Sequence, residues 1–326
     1  MTRRISYCLF SGAQMPAGSD DIVLGGLFNW PVAFDTHGKK GDMSANLTRE
    51  LIEEFDIIHV NFTPGNASYI AAIRDAIGFN SDTKIITQVD FAIGLWNSID
   101  PLIMRQQLDL ADFVFHVEPV GATRLTNFLG REIPAIPHPV DVDKIMPFRK
   151  QPSLPPLVAC QYHRYMYTWA VYYYGTYRIR HDRERFGIRT ALMNYNATTA
   201  VVALDSLFDD VVDRSPYAVY LGMLGDCFVN IDLAPDYTYG RGIVEAAAIG
   251  LPTIGSNTIY AMNHIWPELA ISPHDDMAVD ALLENLLTDS EFATEMAAQG
   301  TERSKYYNLE NSYNRLISCL EEYDVI

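Results

Sequence analysis

Short, almost continuous apolar runs alternate along the chain with stretches in which apolar and polar residues recur at helical spacing. In the first 140 residues this alternation predicts buried parallel strands joined by helical crossovers, which is one doubly wound α/β domain. The predicted strands are 5–10, 56–62, 84–89, 113–117 and 133–136. The predicted helices are 46–55, 67–77, 101–110 and 120–129.

A dense group of prolines, at 134, 137, 139, 147, 152, 155 and 156, interrupts this pattern and indicates an extended linker. A second α/β pattern then begins at residue 157. We therefore predict a first domain over 1–140, a linker over 141–156 and a second domain over 157–326, with the last helix able to cross back to the first domain. The fold class is α/β, with two Rossmann-like domains facing a cleft that holds the ligands.

The elements of the second pattern support the same fold class. The predicted strands are 157–160, 189–195, 226–231 and 253–254. The predicted helices are 165–177, 216–225, 277–287, 291–303 and 309–323.

Composition adds limits on the class of protein. The chain has 326 residues, of which 48% are hydrophobic, and no apolar run approaches the roughly 20 residues of a membrane span, so no integral membrane segment is expected. The basic and then apolar N-terminus is too short for a signal peptide and reads as the first strand. The four cysteines are far apart and have no metal-ligand spacing, which favours a reduced, cytoplasmic protein.

The formal net charge of −17 makes a general nucleic-acid-binding surface unlikely on physical grounds, because phosphate contacts require clustered lysine and arginine. One segment departs from the acidic average. It is either an ordinary solvated helix face, the more common explanation, or an anion-binding wall. Its arginines are Arg164, Arg178, Arg180, Arg183, Arg185 and Arg189.

The stretch 236–254 carries the most specific chemistry. A loop with Gly240 and Gly242 leads into a short apolar helix that contains one acid, Glu245, and ends before Pro252. A helix N-terminus preceded by flexible backbone presents N–H groups and a partial positive charge to a phosphate. A carboxylate one turn into the helix can accept hydrogen bonds from sugar hydroxyls. The alternative is an ordinary loop–helix–strand unit.

Several segments of the second half, in order and spacing, resemble the donor-binding domain of GT-B glycosyltransferases, especially retaining family 4. The family signature Glu-x-Phe-Gly-x-x-x-x-Glu-Ala-x-Ala-x-Gly-x-Pro-x-x-x-Ser resembles the stretch from Tyr237 to Ser256, and Pro-x-Gly-Val-Asp resembles 137–141. The resemblance covers about residues 130–325 and is weak before them. The other matching segments are 221–229, 267–269, 286–289, 296–300 and 309–312.

The resemblance implies roles for residues between 236 and 245. Glu245 matches the glutamate that hydrogen-bonds the ribose of a nucleotide sugar. The backbone of Gly240, Arg241, Gly242 and Ile243 matches the segment that faces the diphosphate or the donor sugar.

The chain departs from the family pattern at Tyr237, which stands where the family has its first glutamate. Asp236, one residue earlier, is the candidate substitute, and Thr238 follows in the same loop.

Further candidates lie outside this loop. Arg164 and His163 follow the first strand of the second domain, where the family holds the diphosphate with Arg and Lys, and Gly18 matches the glycine loop after the first strand of the chain. Asp90, at the end of the strand 84–89, would position an acceptor hydroxyl or act as a base, or else cap the next turn. His138 lies at the domain junction and is either a cleft residue or structural.

The function implied by the resemblance is transfer of a sugar from a nucleotide-diphosphate sugar to an acceptor hydroxyl, with retention, without a metal and without a cofactor. The acceptor would be a glycan, a lipid, a small molecule or a modified base. The alternatives are a catalytically degenerate GT-B binding module, a nucleotide-sugar 2-epimerase and, less favoured because of the negative charge, a DNA-modifying glycosyltransferase. A nicotinamide dehydrogenase is disfavoured because no Gly-x-Gly-x-x-Gly follows the first strand.

Overall fold

A computed structural model describes most of the chain and divides it into two compact units. The first consists of Met1–Asp141 together with Tyr306–Ile326, and the second of Val142–Lys305. Each contains a parallel β-sheet with helical connections, so the α/β fold class is confirmed. The described residues are 5–10, 28–44, 52–63, 68–90, 99–162, 179–194, 208–213 and 217–326.

The first unit has a five-stranded parallel sheet in the order β2-β1-β3-β4-β5. The C-terminal helix of the chain completes this unit. In chain order its elements are β1 (Ser6–Phe10), α1 (Asn29–Thr36), β2 (Lys40–Ser44), β3 (Ile57–Phe62), α2 (Tyr69–Ile77), β4 (Lys84–Val89), α3 (Pro101–Asp109), β5 (Phe113–His116), α4 (Pro119–Leu129) and, from the end of the chain, α12 (Leu309–Glu322).

Strand β3 shows why this sheet is central to the first unit, since all six of its residues are buried. Ile58, Val60 and Phe62 pack into one hydrophobic core with residues of α2, α3 and α4. Ile57 points to the opposite face, into a second core with α1 and α12. This two-residue alternation between two covered faces is typical of a parallel sheet in an α/β domain.

The helices of the first unit start where the sequence provides caps. Asp100 accepts a hydrogen bond of 2.8 Å from the backbone N–H of Leu102, with Pro101 in the first turn. Glu118 is buried and accepts bonds from two backbone N–H groups at the start of α4. Because a proline in the first turn has no N–H to satisfy, these junctions fix the helix starts at the carboxyl ends of the strands.

The second unit has a six-stranded parallel sheet in the order β11-β10-β9-β6-β7-β8. Two short 3₁₀ turns, at Met146–Phe148 and Pro267–Leu269, also lie in this unit. In chain order its elements are α5 (Val142–Ile145), β6 (Leu157–Tyr162), α6 (Ile179–Phe186), β7 (Arg189–Asn194), β8 (Asp210–Asp213), α7 (Tyr217–Gly225), β9 (Val229–Asp232), α8 (Arg241–Ile249), β10 (Thr253–Ser256), α9 (Tyr260–Ile265), β11 (Ala270–Ile271), α10 (Asp276–Thr288) and α11 (Ser290–Ser304).

A buried polar chain ties three neighbouring strands of this sheet together. The side-chain amide of Gln161 on β6 donates to Asn230 Oδ1 on β9 at 2.9 Å, and the amide of Asn230 donates to Thr253 Oγ1 on β10 at 3.2 Å. All three side chains are buried. Since buried polar groups are costly unless they are paired, these hydrogen bonds fix the position of β9, which leads into the loop 233–240.

Helix α8 is the most enclosed helix of the described second unit, because every residue from Gly242 to Ile249 is buried. Its alanines allow close packing against α11. Helix α11 is itself fixed by Trp266. The ring lies so close to Gly300 that a Cβ there would be 2.2 Å from it, and Trp266 Nε1 donates to Met296 O at 2.7 Å. Packing against α11 therefore helps to fix the position of α8.

Two glycines of α7 allow a direct test of this packing. A Cβ on Gly225 would lie 1.9 Å from the backbone oxygen of Phe148, whereas a Cβ on Gly222 would meet no atom within 4 Å. We expect Gly225→Ala to destabilise the protein by about 2 kcal/mol through overpacking, and Gly222→Ala to stabilise it by about 0.5–1 kcal/mol through helix propensity. Urea unfolding of both variants measures this; equal effects would contradict the described packing.

Most sequence-predicted elements agree with the described structure to within a few residues, but 133–136 is not a strand. Only the isolated bridge between His116 and Ala135 forms there, because Pro134 and Pro137 lack the N–H groups that a ladder requires. The strands β2, β8 and β11 and the helices α1, α6 and α9 were not predicted. β2 and β8 are short edge strands rich in polar residues, so they lack the apolar run that marks a central strand.

The predicted linker is not extended over its first residues. The division between the units falls between Asp141 and Val142, and residues 142–156 belong to the second unit, where they begin with the helix α5 and a 3₁₀ turn. Most of the predicted helix 46–55 and all of 165–177 lie outside the described residues.

Candidate functional site

The loop between β9 and α8, residues 233–240, lies at the carboxyl end of the second sheet and is held by backbone-directed hydrogen bonds. Thr258 Oγ1 donates to Ala234 O at 2.6 Å, and the N–H groups of Tyr260 and Ala261 donate to Thr238 O and Tyr239 O at 2.9 and 3.0 Å. We call these residues the donor loop. Its attachment to the start of α9 fixes its path before it enters α8.

Gly240 closes the donor loop in a conformation that favours glycine. Its φ is +84°, in the left-handed region, and a Cβ would lie 2.1 Å from Ile259 Cγ2. No side chain caps the helix that follows. The first N–H groups of a helix have no partner within the helix, so the start of α8 offers donors and a partial positive charge to an anion.

Glu245 lies one turn into α8 and is 1% exposed. Arg241 Nε is 2.8 Å from its Oε1, which is ion-pair distance. The geometry of that contact is not that of a hydrogen bond, and neither carboxylate oxygen accepts one from any described residue. A buried carboxylate that lacks hydrogen bonds is costly, because its oxygens can only accept and no described donor satisfies them.

Arg241 and its neighbours bring positive charge and backbone to the same helix start. The guanidinium of Arg241 is partly exposed and lies 6.0 Å from the centre of the Tyr217 ring, in a cation–π arrangement. Gly242 is buried. Ile243 is buried too, and its N–H donates to Gly240 O at 3.1 Å, so that N–H is already used within the chain.

The remaining donor-loop candidates lie on the same segment. Tyr237 is 38% exposed, Asp236 Oδ1 accepts a hydrogen bond of 2.9 Å from the Tyr237 N–H, and Thr238 forms an isolated bridge with Ile259. Asp236 thus contributes to the turn of the loop, and its predicted chemical role stays a prediction. Gly18, His163 and Arg164 lie outside the described residues.

The described part of the arginine-rich segment supports the solvated-face interpretation. Arg185 pairs with Glu284 at 2.7 Å, Arg183 pairs with Asp209, and Arg189 pairs with Asp210. An arginine that is already paired with a carboxylate is a poor anion ligand, because an incoming phosphate must compete with that carboxylate.

In the first unit, Asp90 follows β4 directly and is one-third exposed at the carboxyl end of the sheet. His138 Nε2 lies 2.9 Å from Asp90 Oδ2, and the His138 side chain is 4% exposed. The structure therefore brings together two candidates that are 48 positions apart in the chain. No spacing in the sequence indicated this pair. The proline on each side of His138 was the local sign of a fixed backbone.

Two further buried histidines lie within electrostatic range of this pair. Burial lowers the pKa of His116 to about 4, although the hydrogen bond with the Glu118 backbone oxygen and the charge of Asp90 each raise it by a smaller amount. Burial, together with His138, lowers the pKa of His59 well below its ordinary value. His59 Nδ1 is 2.5 Å from the Tyr7 hydroxyl. Both rings are therefore neutral at pH 7.

The low pKa of His116 predicts a loss of stability in acid. Because the folded-state pKa is about 4 and the ordinary value is 6.5, the unfolded chain binds more protons between these two pH values, and the stability present above pH 6.5 is lost as the pH falls toward 4. The free energy of unfolding should be about 2 kcal/mol lower at pH 5 than at pH 7 from this group.

Urea unfolding at pH 7, 6 and 5 measures this loss. His116→Asn keeps a polar atom near the Nδ1 position but does not titrate in this range, so its unfolding free energy should fall less steeply, while the carboxylates contribute equally to both proteins. Parallel pH profiles of the two proteins would contradict a buried, neutral His116.

A cavity of about 320 Å³ also lies in the second unit, at the other end of its sheet. It is bounded by Phe228 and Pro252, which precede β9 and β10, and by α10 and α11. The amino ends of the strands face away from the donor loop, so this cavity is separate from the candidate site.

The described residues contain neither a metal-ligand group nor a membrane-spanning helix. No group of three or more His, Cys, Asp and Glu side chains there is placed to hold a metal ion. Within the same residues, the helices are all too short or too polar to span a bilayer.

Solved structures of glycosyltransferases have the same fold. A glycosyltransferase from Rickettsia africae ESF-5 is 12% identical and aligns over 98% of both chains, with a TM-score of 0.70. An alpha-glucosyltransferase in complex with UDP and a 13-mer DNA containing an HMU base is 9% identical over 97% of this chain and 99% of that one, with a TM-score of 0.68. Sucrose-phosphate synthase from Thermosynechococcus elongatus is 14% identical over 97% and 98%, with a TM-score of 0.66.

At these identities the similarity establishes the fold, which is the GT-B fold of glycosyltransferases. No protein-family model matches the sequence, and no curated protein matches it. The expected fold is confirmed, and the roles of individual site residues remain predictions.

Proposed function

We propose that this protein is a glycosyltransferase that moves a sugar from a nucleotide-diphosphate sugar to an acceptor hydroxyl. One observation carries the proposal: Glu245 is buried without a hydrogen bond from any described residue, one turn into a helix that starts at the left-handed Gly240. The fold shared with glycosyltransferases supports the same reading.

The donor would bind the second unit through groups of opposite chemistry. The two ribose hydroxyls would donate to the Glu245 carboxylate, which accepts only. The diphosphate would lie at the start of α8, against the N–H groups of Arg241 and Gly242 and near the Arg241 guanidinium. These groups stabilise the charge that develops on the departing diphosphate, which is the main contribution a protein can make to such a transfer.

The acceptor would bind at the first unit, with Asp90 accepting a hydrogen bond from the hydroxyl that attacks. Its one-third exposure and its place after β4 leave it accessible. Asp236 is the second candidate for a carboxylate near the donor sugar. Retention of configuration and independence from metal and cofactors belong to the proposal because the family resemblance implies them.

A turnover assay tests the proposal. UDP, GDP, ADP and dTDP sugars are incubated with the protein, with and without EDTA and a mixed panel of hydroxyl acceptors, and released nucleotide diphosphate is measured. We expect one donor class to be consumed, with or without EDTA, and Glu245→Ala to abolish its consumption. The anomeric configuration of the product, read by NMR, tests retention.

The same assay separates the alternatives. Binding of a nucleotide sugar without turnover would support a degenerate binding module, and isomerisation of the donor without nucleotide release would support an epimerase. A hydroxymethylated oligonucleotide belongs in the acceptor panel, because the alpha-glucosyltransferase with the same fold was solved with modified DNA. Selective transfer to it would support the DNA-modifying alternative.

A further inference from the structure

The backbone on both sides of His138 is fixed by prolines and by hydrogen bonds. It lies between Pro137 and Pro139, and Pro139 O accepts a hydrogen bond of 3.1 Å from Asn29 Nδ2. The neighbouring Ile136 N–H donates to His116 O at 2.8 Å. The segment on either side is thus tied to β5 and to α1, and the imidazole is directed at Asp90.

Other described titratable side chains lie beside the pair and do not compete with His138 for Asp90. His59 and His116 are neutral at pH 7, for the reasons given above. Glu118 is buried, and its carboxylate accepts hydrogen bonds from the N–H groups of Val120 and Gly121 at the start of α4. These neighbours therefore add no positive charge near Asp90.

The exposures of the two side chains divide their roles. His138 is 4% exposed and cannot itself meet a large substrate, whereas Asp90 is 33% exposed. The 2.9 Å contact is at ion-pair distance and lacks hydrogen-bond geometry. A buried ring that is held this close to one oxygen of a partly exposed carboxylate restricts the orientation of that carboxylate.

From this geometry we infer that His138 is a positioning residue for transfer: it holds the Asp90 carboxylate, through the contact between Nε2 and Oδ2, in the orientation that receives the acceptor hydroxyl. This inference rests on the proposed function. It assigns no contact between His138 and either substrate.

The test is a double-mutant cycle of Asp90→Asn and His138→Gln in the full-length protein, with the donor and acceptor identified by the turnover assay. We expect Asp90→Asn to lower kcat by about 100-fold, since a positioned acid or base contributes that much or more. His138→Gln should lower kcat by about tenfold through misplacement of the carboxylate, with the donor KM unchanged. The double variant should be no slower than Asp90→Asn alone.

The split between kcat and KM provides a readout that a purely structural role would not give. His138→Gln should lower kcat and leave the donor KM unchanged, whereas a general disturbance of the fold would change both. His37→Gln is the control: His37 is in the same unit, stacks on Tyr313 at 4.0 Å and should leave kcat and KM unchanged.

The remaining outcomes are all decisive. Additive losses in the cycle, or a donor KM that rises as kcat falls, would overturn the positioning role while the proposed function stands. If His138→Gln is unfolded by circular dichroism, His138→Asn replaces it. A crystal structure of the wild type gives an answer that needs no activity: His138 Nε2 and Asp90 Oδ2 should be in contact, and a separation beyond about 4 Å would overturn the pair. Wild-type protein that keeps this contact but catalyses no transfer would overturn the proposed function, and this role with it.

Discussion

Replacing Glu245 by glutamine is expected to weaken nucleotide-sugar binding by about 10- to 100-fold, since hydrogen bonds to a charged group contribute about 1.5–3 kcal/mol. The free energy of unfolding should stay the same or rise. The carboxylate is 1% exposed and accepts no hydrogen bond from any described residue, so its burial is a cost that the neutral amide reduces. This gain offsets the loss of the ion pair with Arg241, whose side chain is 23% exposed and stays in contact with solvent. Calorimetric titration and urea unfolding measure the two quantities.

The opposite response of binding and stability distinguishes a ligand-binding carboxylate from a structural one. Glu284→Gln is the matched control, because Glu284 also lies on a helix of the second unit and pairs with an arginine, at 2.7 Å, but is 46% exposed. It should change neither binding nor stability measurably. A Glu245→Gln protein that binds normally and is less stable by 2 kcal/mol or more would show that the residue is structural.

Gly240→Ala is expected to destabilise the protein by about 4 kcal/mol and to abolish donor binding. Two costs add: a left-handed backbone, of about 1–2 kcal/mol for a residue with a Cβ, and overpacking, of about 1–3 kcal/mol. The overpacking arises because the new Cβ would lie 2.1 Å from Ile259 Cγ2. Relief of that contact must move the donor loop or the start of α8, so the backbone groups that we propose to face the diphosphate would be displaced.

Gly187→Ala provides the matched control within the same unit. Gly187 is also left-handed, with φ of +63°, but a Cβ there would meet no atom within 4 Å. It should therefore cost only the backbone term of about 1–2 kcal/mol and leave donor binding intact. If both variants lose the same stability and both still bind nucleotide sugar, Gly240 has no special place in the site.

The sequence predicted the central strands because each is a continuous apolar run covered on both faces, as β3 illustrates. It predicted the donor loop because glycines, an apolar helix and a single acid occur within a few residues. Edge strands such as β2 escaped prediction, since an edge needs little apolar surface. The proline-rich stretch was predicted as an extended linker, but it begins with α5 and a 3₁₀ turn. Tertiary contacts with α8 and α7 support these two elements, and a local pattern does not show such contacts.

The pairing of Asp90 with His138 was beyond sequence reasoning. Both residues were noticed separately, but only the parallel order of β4 and β5, and the bridge of Ala135 to His116, bring their loops together at one edge. Contacts between residues far apart in the chain depend on topology, which a local pattern does not specify. By contrast, Arg241 and Glu245 are one helical turn apart, so their contact follows from helix geometry alone.

Hydrogen exchange with and without a saturating nucleotide sugar is the most direct test of donor binding at the start of α8. We expect slower exchange of the backbone amides of residues 234–243, with the largest protection at Arg241 and Gly242, and loss of this protection in Glu245→Gln. Protection confined to residues 225–228 and 286–297, which border the cavity at the other end of the sheet, or no protection with any donor, would contradict it.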